Sequence, residues 1–336
     1  MANKSPLLWI DPNWGKGVHE WIRAQAEHND IRLTGEIEQP HIRHWSTVMR
    51  VQSNEGVLFF KATAPDKKNE IALTQKLAKW FPDLMTEVIA VDIPRGWILM
   101  RDGGDTLRSI ISPAQDIKPW EPVITRYAEL QIGLTEHVDE ILALGIPDRR
   151  LAVLPSLFSK LLVDEDSLMI GWEKGLTVNE YHQLCDLMPH FERLCTQIAA
   201  FTIPESLNHG DFHDGNVLVK EGRVTFFDWG DADVTHPFVS LRTFFVSIEI
   251  TLDLDDYAFT PGMAGLLDLY LKPFQRYASR SKLLKAYAIS KPVASIVKTL
   301  AWYKDIIDMS DPMREEHCWI VPELLKEFLF HMKMLS

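Results

Sequence analysis

A short polar segment in the second half of the sequence is flanked by apolar stretches. Residues 209–216 are His-Gly-Asp-Phe-His-Asp-Gly-Asn, and Asp228-Trp229-Gly230 follows after a β-prone stretch. Carboxylates, imidazoles and an amide are costly to bury unless each has a polar partner. Their density beside apolar strand residues predicts a compact chemical site, and the rest of the chain must supply its partners.

The residues between these two motifs have the pattern of a β-hairpin. Glu221-Gly222 matches a two-residue turn, because glycine readily adopts a positive φ. The turn joins residues 217–220 to residues 223–227. Pairing outward from it brings Asn216 and Asp228 to the same open end of the hairpin.

Asn216 and Asp228 have side chains suited to a divalent cation. One amide oxygen and one carboxylate are hard ligands that Mg²⁺ uses when phosphate oxygens fill its remaining positions. The sequence therefore predicts a metal site at these two residues. Asp211 comes a few residues earlier, on the entering loop, close enough to face whatever the metal holds.

Two charges in the first hundred residues stand in apolar surroundings. Lys61 interrupts an apolar strand face. Glu70 falls on the apolar face of its predicted helix together with Leu73, Leu77 and Trp80. An unpaired buried charge is strongly destabilising, so a Lys61–Glu70 ion pair is predicted. Taken alone, Lys61 also fits a charge that protects an edge strand, and Glu70 fits a boundary residue that reaches water.

The spacing of apolar and turn residues changes near residue 101. The earlier part has helical patterns at 13–27 and 66–81 and β-prone runs at 32–39, 47–52, 57–62, 87–92 and 96–100. The later part has helical patterns at 121–144, 149–162, 178–201, 237–252, 262–277, 281–309 and 321–334. The prediction is an α+β fold with a small antiparallel β-rich lobe at 1–101, a hinge at 102–105 and a larger helical lobe at 106–336.

Composition narrows the class of protein. With 47 acidic and 35 basic side chains the formal charge is −12, so nucleic acid is not an expected partner. Three cysteines do not make a disulfide framework, which favours a reducing, cytoplasmic compartment. We recognise no signal peptide and no membrane-spanning run, so no membrane partner is expected. The sequence predicts no oligomeric state.

The motif His209-Gly210-Asp211-x-His213-x-x-Asn216, followed by Asp228-Trp229, resembles the catalytic loop and metal motif of the aminoglycoside phosphotransferase/choline kinase-like family. Members of that family have the two-lobed protein-kinase-like fold. The resemblance extends over most of the chain, because Lys61, Glu70, the hinge and the two motifs occur in the family's order. It implies that the first lobe binds nucleotide and that the second carries the catalytic loop and the acceptor site.

The resemblance also implies a role for each motif residue. Asp211 becomes the base beside the accepting hydroxyl, and Asn216 and Asp228 become the Mg²⁺ ligands. Lys61 becomes the contact to the phosphates of ATP or GTP, oriented by Glu70. His213 takes the position at which protein kinases often carry a lysine that touches the transferred phosphoryl group. Loop bracing is the alternative for His213.

Two departures from the family pattern bear on the site. No G-x-G-x-x-G occurs between the first two predicted strands, where residues 40–46 form the expected loop, and Ser46 with nearby amides is predicted to contact the phosphates instead. The family usually has an aspartate three residues after the proline at Pro237, and here that residue is Ser240. The aspartate normally braces the catalytic loop, so the sequence does not predict this bracing here.

The expected activity is Mg²⁺-dependent transfer of the γ-phosphate of ATP or GTP to a hydroxyl of a small molecule. Aminoglycosides, amino alcohols, amino acids and sugars are all acceptors within the resembling family. One alternative is a catalytically silent, pseudokinase-like module that binds nucleotide. Another is a metallophosphoesterase, because Asp211-x-His213 also resembles the first ligands of a binuclear metal site.

Overall fold

The computed structural model describes residues 8–111, 116–255, 257–309 and 311–335. The chain divides into two compact units, of which the first contains Met1–Ala114 and Asp214–Gly230. The second contains Gln115–His213 and Asp231–Ser336. The predicted metal hairpin thus belongs to the same unit as the N-terminal part of the chain, although residues 115–213 separate the two in the sequence.

Most strands precede residue 107 in the sequence, and most helices follow it. The strands of the described residues are, in chain order, β1 (Glu38–Ile42), β2 (Ser46–Ser53), β3 (Gly56–Thr63), β4 (Val88–Asp92), β5 (Trp97–Arg101), β6 (Asp105–Thr106), β7 (Ser206–Asn208), β8 (Val217–Lys220), β9 (Arg223–Phe226) and β10 (Asp233–Thr235). The α-helices are α1 (Pro12–His28), α2 (Asn69–Trp80), α3 (Leu107–Ile111), α4 (Trp120–Leu134), α5 (Val138–Ala143), α6 (Leu154–Leu162), α7 (Glu165–Leu168), α8 (Val178–Ala199), α9 (Leu241–Thr251), α10 (Pro261–Phe274), α11 (Arg280–Asp308), α12 (Asp311–His317) and α13 (Ile320–Leu335).

The first unit is built on an antiparallel sheet with the strand order β1-β2-β3-β5-β4. Helix α1 starts behind Asp11, whose side chain accepts a hydrogen bond from a backbone N–H of the first turn. Its buried residues Val18 and Ile22 join a core with Phe60 and Leu99 of the sheet. The apolar face of α1 is thereby removed from water, which stabilises both the helix and the sheet.

The predicted hairpin is confirmed in turn and register. Val217 of β8 lies opposite Phe226 of β9, and the two-residue turn Glu221-Gly222 has φ values of 52° and 79°. Two positive φ angles define a type I′ turn, whose twist suits the flanking strands. Asp105 of β6 pairs with Val219, so β6 adds a third strand to this sheet. The predicted hinge at residues 102–105 accordingly leads into a strand of the first unit, and the division between the units comes later in the chain.

The first predicted strand is placed differently in the structure. Residues 32–37 make only an isolated bridge, from Leu33 to Ser53, and the strand β1 begins at Glu38. The predicted run at 32–39 stops before Pro40, which lies inside β1. Because β1 is an edge strand with a register shift between Glu38 and His41, it accommodates this proline. The expected loop at residues 40–46 is correspondingly shorter.

The second unit is mainly helical, as predicted. Helices α6, α8, α11 and α13 bury a common core that includes Phe158, Phe191 and Phe328. Helix α8 starts with a capping box, in which Thr177 and Glu180 bond each other's backbone N–H. The helix predicted at 121–144 is divided into α4 and α5 by a 3₁₀ turn. No helix of the described residues is long and apolar enough to cross a membrane.

Candidate active site

Lys61 and Glu70 form the ion pair predicted from the sequence. Lys61 lies on β3, between Val48 of β2 and Ile98 of β5. Glu70 lies in the first turn of α2. Nζ of Lys61 is 2.5 Å from Oε1 of Glu70, and the two side chains are 12% and 6% exposed. Because β3 is an interior strand, Lys61 does not protect a sheet edge.

The ammonium of Lys61 also contacts Asp228. Nζ donates to Oδ1 of Asp228 at 2.8 Å, so a single cation bridges two carboxylates. Burial opposes the charged form, but the carboxylates of Asp228 and Glu70 outweigh it and hold the pKa of Lys61 above its ordinary value. The predicted contact between Lys61 and Asp228 of the metal motif is therefore present within the first unit.

Backbone geometry shapes the segment around Asp228. Asp228 has a φ of 64°, in the left-handed region that short polar residues tolerate better than most. A Cβ atom placed on Gly230 would lie 3.0 Å from Oε2 of Glu70. Glycine at this position therefore leaves room for the carboxylate that pairs with Lys61.

Asn216 lies where the hairpin pattern put it. It is 7% exposed, and its carbonyl oxygen accepts a hydrogen bond from the N–H of Phe227, the residue before Asp228. Arg108 of α3 anchors the preceding turn through Oδ1 of Asp214 at 2.8 Å. An amide oxygen and a carboxylate at one end of the hairpin are donors that fit Mg²⁺. The described part of the chain contains no group of three or more His, Cys, Asp or Glu side chains arranged to hold a metal.

In the second unit, both carboxylate oxygens of Asp211 have a nitrogen neighbour. Nε2 of His213 lies 3.1 Å from Oδ2, and Nζ of Lys298 on α11 lies 3.5 Å from Oδ1. The N–H of Asp211 donates to Nδ1 of His209 at 3.4 Å. Burial alone would raise the pKa of Asp211, but His213, Lys298 and His209 together hold it well below the usual range. Asp211 is thus an ionised carboxylate in a defined orientation.

Gly210 allows the close approach on which this loop depends. Its φ is 78°, and a Cβ atom would lie 1.9 Å from the carbonyl oxygen of Asp231. The carbonyl oxygen of Gly210 accepts a hydrogen bond from Nζ of Lys298 at 2.8 Å. Both the conformation and the space therefore require glycine immediately before Asp211.

Ser240, which replaces the expected aspartate, takes part in a buried hydrogen-bond chain. The N–H of His209 donates to the hydroxyl of Tyr127 at 3.1 Å, and that hydroxyl lies 2.9 Å from Oγ of Ser240. Oγ of Ser240 donates to Oδ1 of Asn208 at 2.6 Å, so Tyr127 must be the donor to Ser240. Gln131 donates to the same Oγ at 3.0 Å. Neutral groups thus brace the loop that begins at His209.

The chain of hydrogen bonds ends on a buried ion pair. Nδ2 of Asn208 donates to Oδ1 of Asp233 at 3.1 Å, and Nη1 of Arg149 lies 2.6 Å from Oδ2 of the same carboxylate. The side chains of Arg149 and Asp233 are 6% and 1% exposed. Each oxygen of this buried carboxylate therefore has a donor, which such a group needs.

Ser46 lies at the start of β2, opposite Thr63 of β3. It is 6% exposed, and its carbonyl oxygen accepts a hydrogen bond from the N–H of Arg43 at 2.8 Å. His41 lies on β1, one residue before the end of that strand. Burial and the charge of Arg43 lower the pKa of His41, and the charges of Asp228 and Lys61 also act on this imidazole. The connection between β1 and β2 thus lies within electrostatic reach of the Lys61 site. A phosphate contact by Ser46 stays a prediction.

The structure brings together most of the predicted site residues within each unit. Lys61, Glu70 and Asp228 are in direct contact in the first unit, and Asp211 and His213 are in contact in the second. Sequence reasoning missed Lys298. The argument that identified Glu70 could have identified Lys298 as well, because Lys298 is also a charge in an otherwise apolar stretch of its helix.

Comparisons with known proteins agree with this geometry. Residues 149–247, which include the loop at 209–216 and Asp228, match the APH family, described as the phosphotransferase enzyme family. The comparison with curated proteins finds no match.

Solved structures with a similar fold include an ethanolamine kinase from Plasmodium vivax, with a TM-score of 0.61 and 11% identity over 97% of this chain and 89% of that one. A choline/ethanolamine kinase family protein from Mesorhizobium loti has a TM-score of 0.55 and 17% identity, over 94% and 99% of the two chains. An aminoglycoside 2′-phosphotransferase-IIIa in complex with GDP has a TM-score of 0.60 and 14% identity, over 93% and 96%.

These neighbours confirm the predicted α+β, kinase-like fold. The family that matches residues 149–247 is one of phosphotransferases, which agrees with the predicted enzyme class. Residues 149–247 carry the sequence pattern of the phosphotransferase enzyme family, and this confirms the recognition that rested on the motif at 209–216.

Proposed function

We propose that this kinase transfers the γ-phosphoryl group of ATP or GTP, with Mg²⁺, to a hydroxyl group of a small molecule. The observation that carries the proposal is the contact of one buried ammonium, that of Lys61, with both Glu70 and Asp228. A cation held between two carboxylates is positioned to take up a third anionic group without its own reorganisation. Phosphoryl transfer depends mainly on such positioning and on electrostatic stabilisation.

The residues of the first unit are suited to the phosphate tail of the nucleotide. Lys61 would bind phosphate oxygens, and Glu70 would keep its ammonium in place. Asn216 and Asp228 would hold the metal ion, which neutralises charge on the phosphates when bound. These roles follow from side-chain chemistry and from the resemblance at residues 209–230.

Asp211 would act on the acceptor. The acceptor oxygen forms a bond to the γ-phosphorus, the bond from that phosphorus to the bridging oxygen breaks, and the nucleoside diphosphate leaves. Asp211 receives the hydroxyl proton. Its low pKa makes it a weak base, so we expect it to orient the hydroxyl and to accept the proton late in the reaction.

The names of the similar structures indicate which acceptors to test first. The similar structures are named for kinases of ethanolamine, of choline or ethanolamine, and of aminoglycosides, all of which are hydroxylated amines. We therefore propose a small hydroxylated molecule and place amino alcohols and aminoglycosides first in the panel to be tested, followed by amino acids such as homoserine and by sugars.

Two measurements test the proposal. The unfolding temperature should rise with ATP or GTP only when Mg²⁺ is also present, and nucleoside diphosphate should form with at least one acceptor of the panel. A nucleotide-dependent rise without product from any acceptor would instead support the pseudokinase alternative. No rise with either nucleotide would contradict both.

Two variants separate the roles of the aspartates. Asp211→Asn should lower kcat by about 10³-fold while the Mg²⁺-nucleotide shift in unfolding temperature persists. Asp228→Ala should abolish that shift. The matched control is Asp268→Asn, on an exposed carboxylate that pairs with Arg280, and it should change neither quantity. Full turnover in Asp211→Asn would remove the assignment of the base.

A further inference from the structure

Lys298 is a largely buried cation that the phosphotransferase motif does not include. It projects from α11, and its side chain is 14% exposed. Nζ donates to the carbonyl oxygen of Gly210 at 2.8 Å and lies 3.5 Å from Oδ1 of Asp211. A largely buried ammonium needs polar or anionic partners in place of the water that it loses.

The surroundings of Lys298 are both polar and confined. It lines a small cavity together with Asn208, Gly210, Asp233 and Arg242. The negative charge of Asp233 adds to the attraction of Asp211, because the charges of Lys298 and Asp233 interact. The ammonium is thus held beside the loop by the carbonyl oxygen of Gly210 and the carboxylate of Asp211, and the more distant charge of Asp233 adds to the attraction.

The carboxylate of Asp211 is contacted from two sides. Lys298 contacts Oδ1, and His213 contacts Oδ2. These contacts come from different parts of the unit, one from a long helix and the other from the loop itself. Rotation of the carboxylate about its side-chain bonds would break one contact or the other.

We propose that Lys298 is a positioning residue for phosphoryl transfer, which fixes the carboxylate of Asp211 and the carbonyl of Gly210 in the orientation that the acceptor hydroxyl requires. The proposal rests on the function assigned to Asp211 above. Lys298 acts through Asp211 and does not itself contact the reacting atoms. Displacing a reacting group by about 1 Å can cost about 10²-fold in rate, so the orientation matters.

The electrostatic consequence is a second effect of Lys298. The groups that act on the carboxyl of Asp211 are His213, His209 and Lys298, and each favours its ionised form. Removing the ammonium while keeping the two imidazoles should raise the pKa of Asp211. A base with a higher pKa is protonated at higher pH, so the acid side of the kcat profile should move towards neutral pH.

The test uses Lys298→Met, Lys298→Arg and a control, Lys304→Met, which replaces an exposed lysine of the same helix. Lys298→Met should lower kcat by about 10- to 100-fold with little change in the KM for nucleotide. Lys298→Arg keeps the charge and should restore most of the rate. Lys304→Met should behave as the unsubstituted protein, and unfolding temperatures will show whether each variant is folded.

A readout independent of turnover distinguishes this inference from the proposed function. NMR titration of the Asp211 side-chain carboxyl should give a higher pKa in Lys298→Met and an unchanged low pKa in Lys298→Arg. An unchanged pKa and an unchanged kcat in Lys298→Met would overturn the inference while leaving the kinase assignment intact. If Asp211→Asn retained full activity, the proposed function would fail instead, whatever the titration showed.

Discussion

Replacing Ser240 by alanine removes the hydroxyl at the centre of the bracing network. Gln131 would still have the carbonyl oxygens of Leu207 and Pro237 at 3.1 and 3.3 Å. Tyr127 would lose the acceptor of its hydroxyl proton, and Oδ1 of Asn208 would lose its donor. The variant loses one hydrogen bond donated by Tyr127 and one accepted by Asn208, and the loss of a hydrogen bond to a buried group costs about 1–3 kcal/mol. We therefore expect Ser240→Ala to lower the free energy of unfolding by about 2–4 kcal/mol.

Urea unfolding at equilibrium measures this quantity, with Ser279→Ala as the control for loss of an exposed serine hydroxyl. A double-mutant cycle with Tyr127→Phe isolates the contact between the two hydroxyls. Because these hydroxyls share one hydrogen bond, the cycle should give a coupling of about 1 kcal/mol. A loss below about 1 kcal/mol in Ser240→Ala, with strictly additive double-mutant energies, would refute the view that Ser240 braces the loop.

Two further predictions concern the second unit. Burial would raise the pKa of Glu327, but His331 and Arg242 lower it from 4.5 to about 2. The resulting stabilisation of the folded state amounts to up to about 3 kcal/mol. It is present above about pH 4.5 and is lost as the pH falls towards about 2. The free energy of unfolding of Glu327→Gln, measured against pH, should lack this dependence. Gly210→Ala should unfold at a much lower temperature than the unsubstituted protein, whereas Gly171→Ala, at a similar φ of 81° but with open space, should cost only about 1 kcal/mol. Equal thermal stability of the two glycine variants would show that the clash at residue 210 is relieved.

Local patterns predicted several elements of the fold correctly. The turn at Glu221-Gly222 was predictable because two adjacent positive φ angles favour few residues. The helix that became α8 was predictable from its apolar period. The first strand was misplaced because residues 32–39 are β-prone, but a local pattern does not say which part of such a run pairs with a neighbouring strand.

Part of the site's chemistry was also predictable from local sequence patterns. The motif at 209–216, the hairpin that carries Asn216 and Asp228, and the burial of Lys61 and Glu70 all follow from residue types at fixed spacings. The repeat of side-chain directions within a strand or a helix determines which side chains share a face, and this repeat is a short-range property of the backbone.

Only the tertiary structure decided which distant groups touch these residues. The bracing of the loop by Tyr127 and Ser240, and the approach of Lys298 to Asp211, depend on how α4, the 3₁₀ turn Pro237–Ser240 and α11 pack within their unit. Lys298 is 87 residues beyond Asp211 in the sequence. The periodicity of one helix or strand does not specify which side chain of a distant helix will contact it, because that contact depends on the packing of many elements at once.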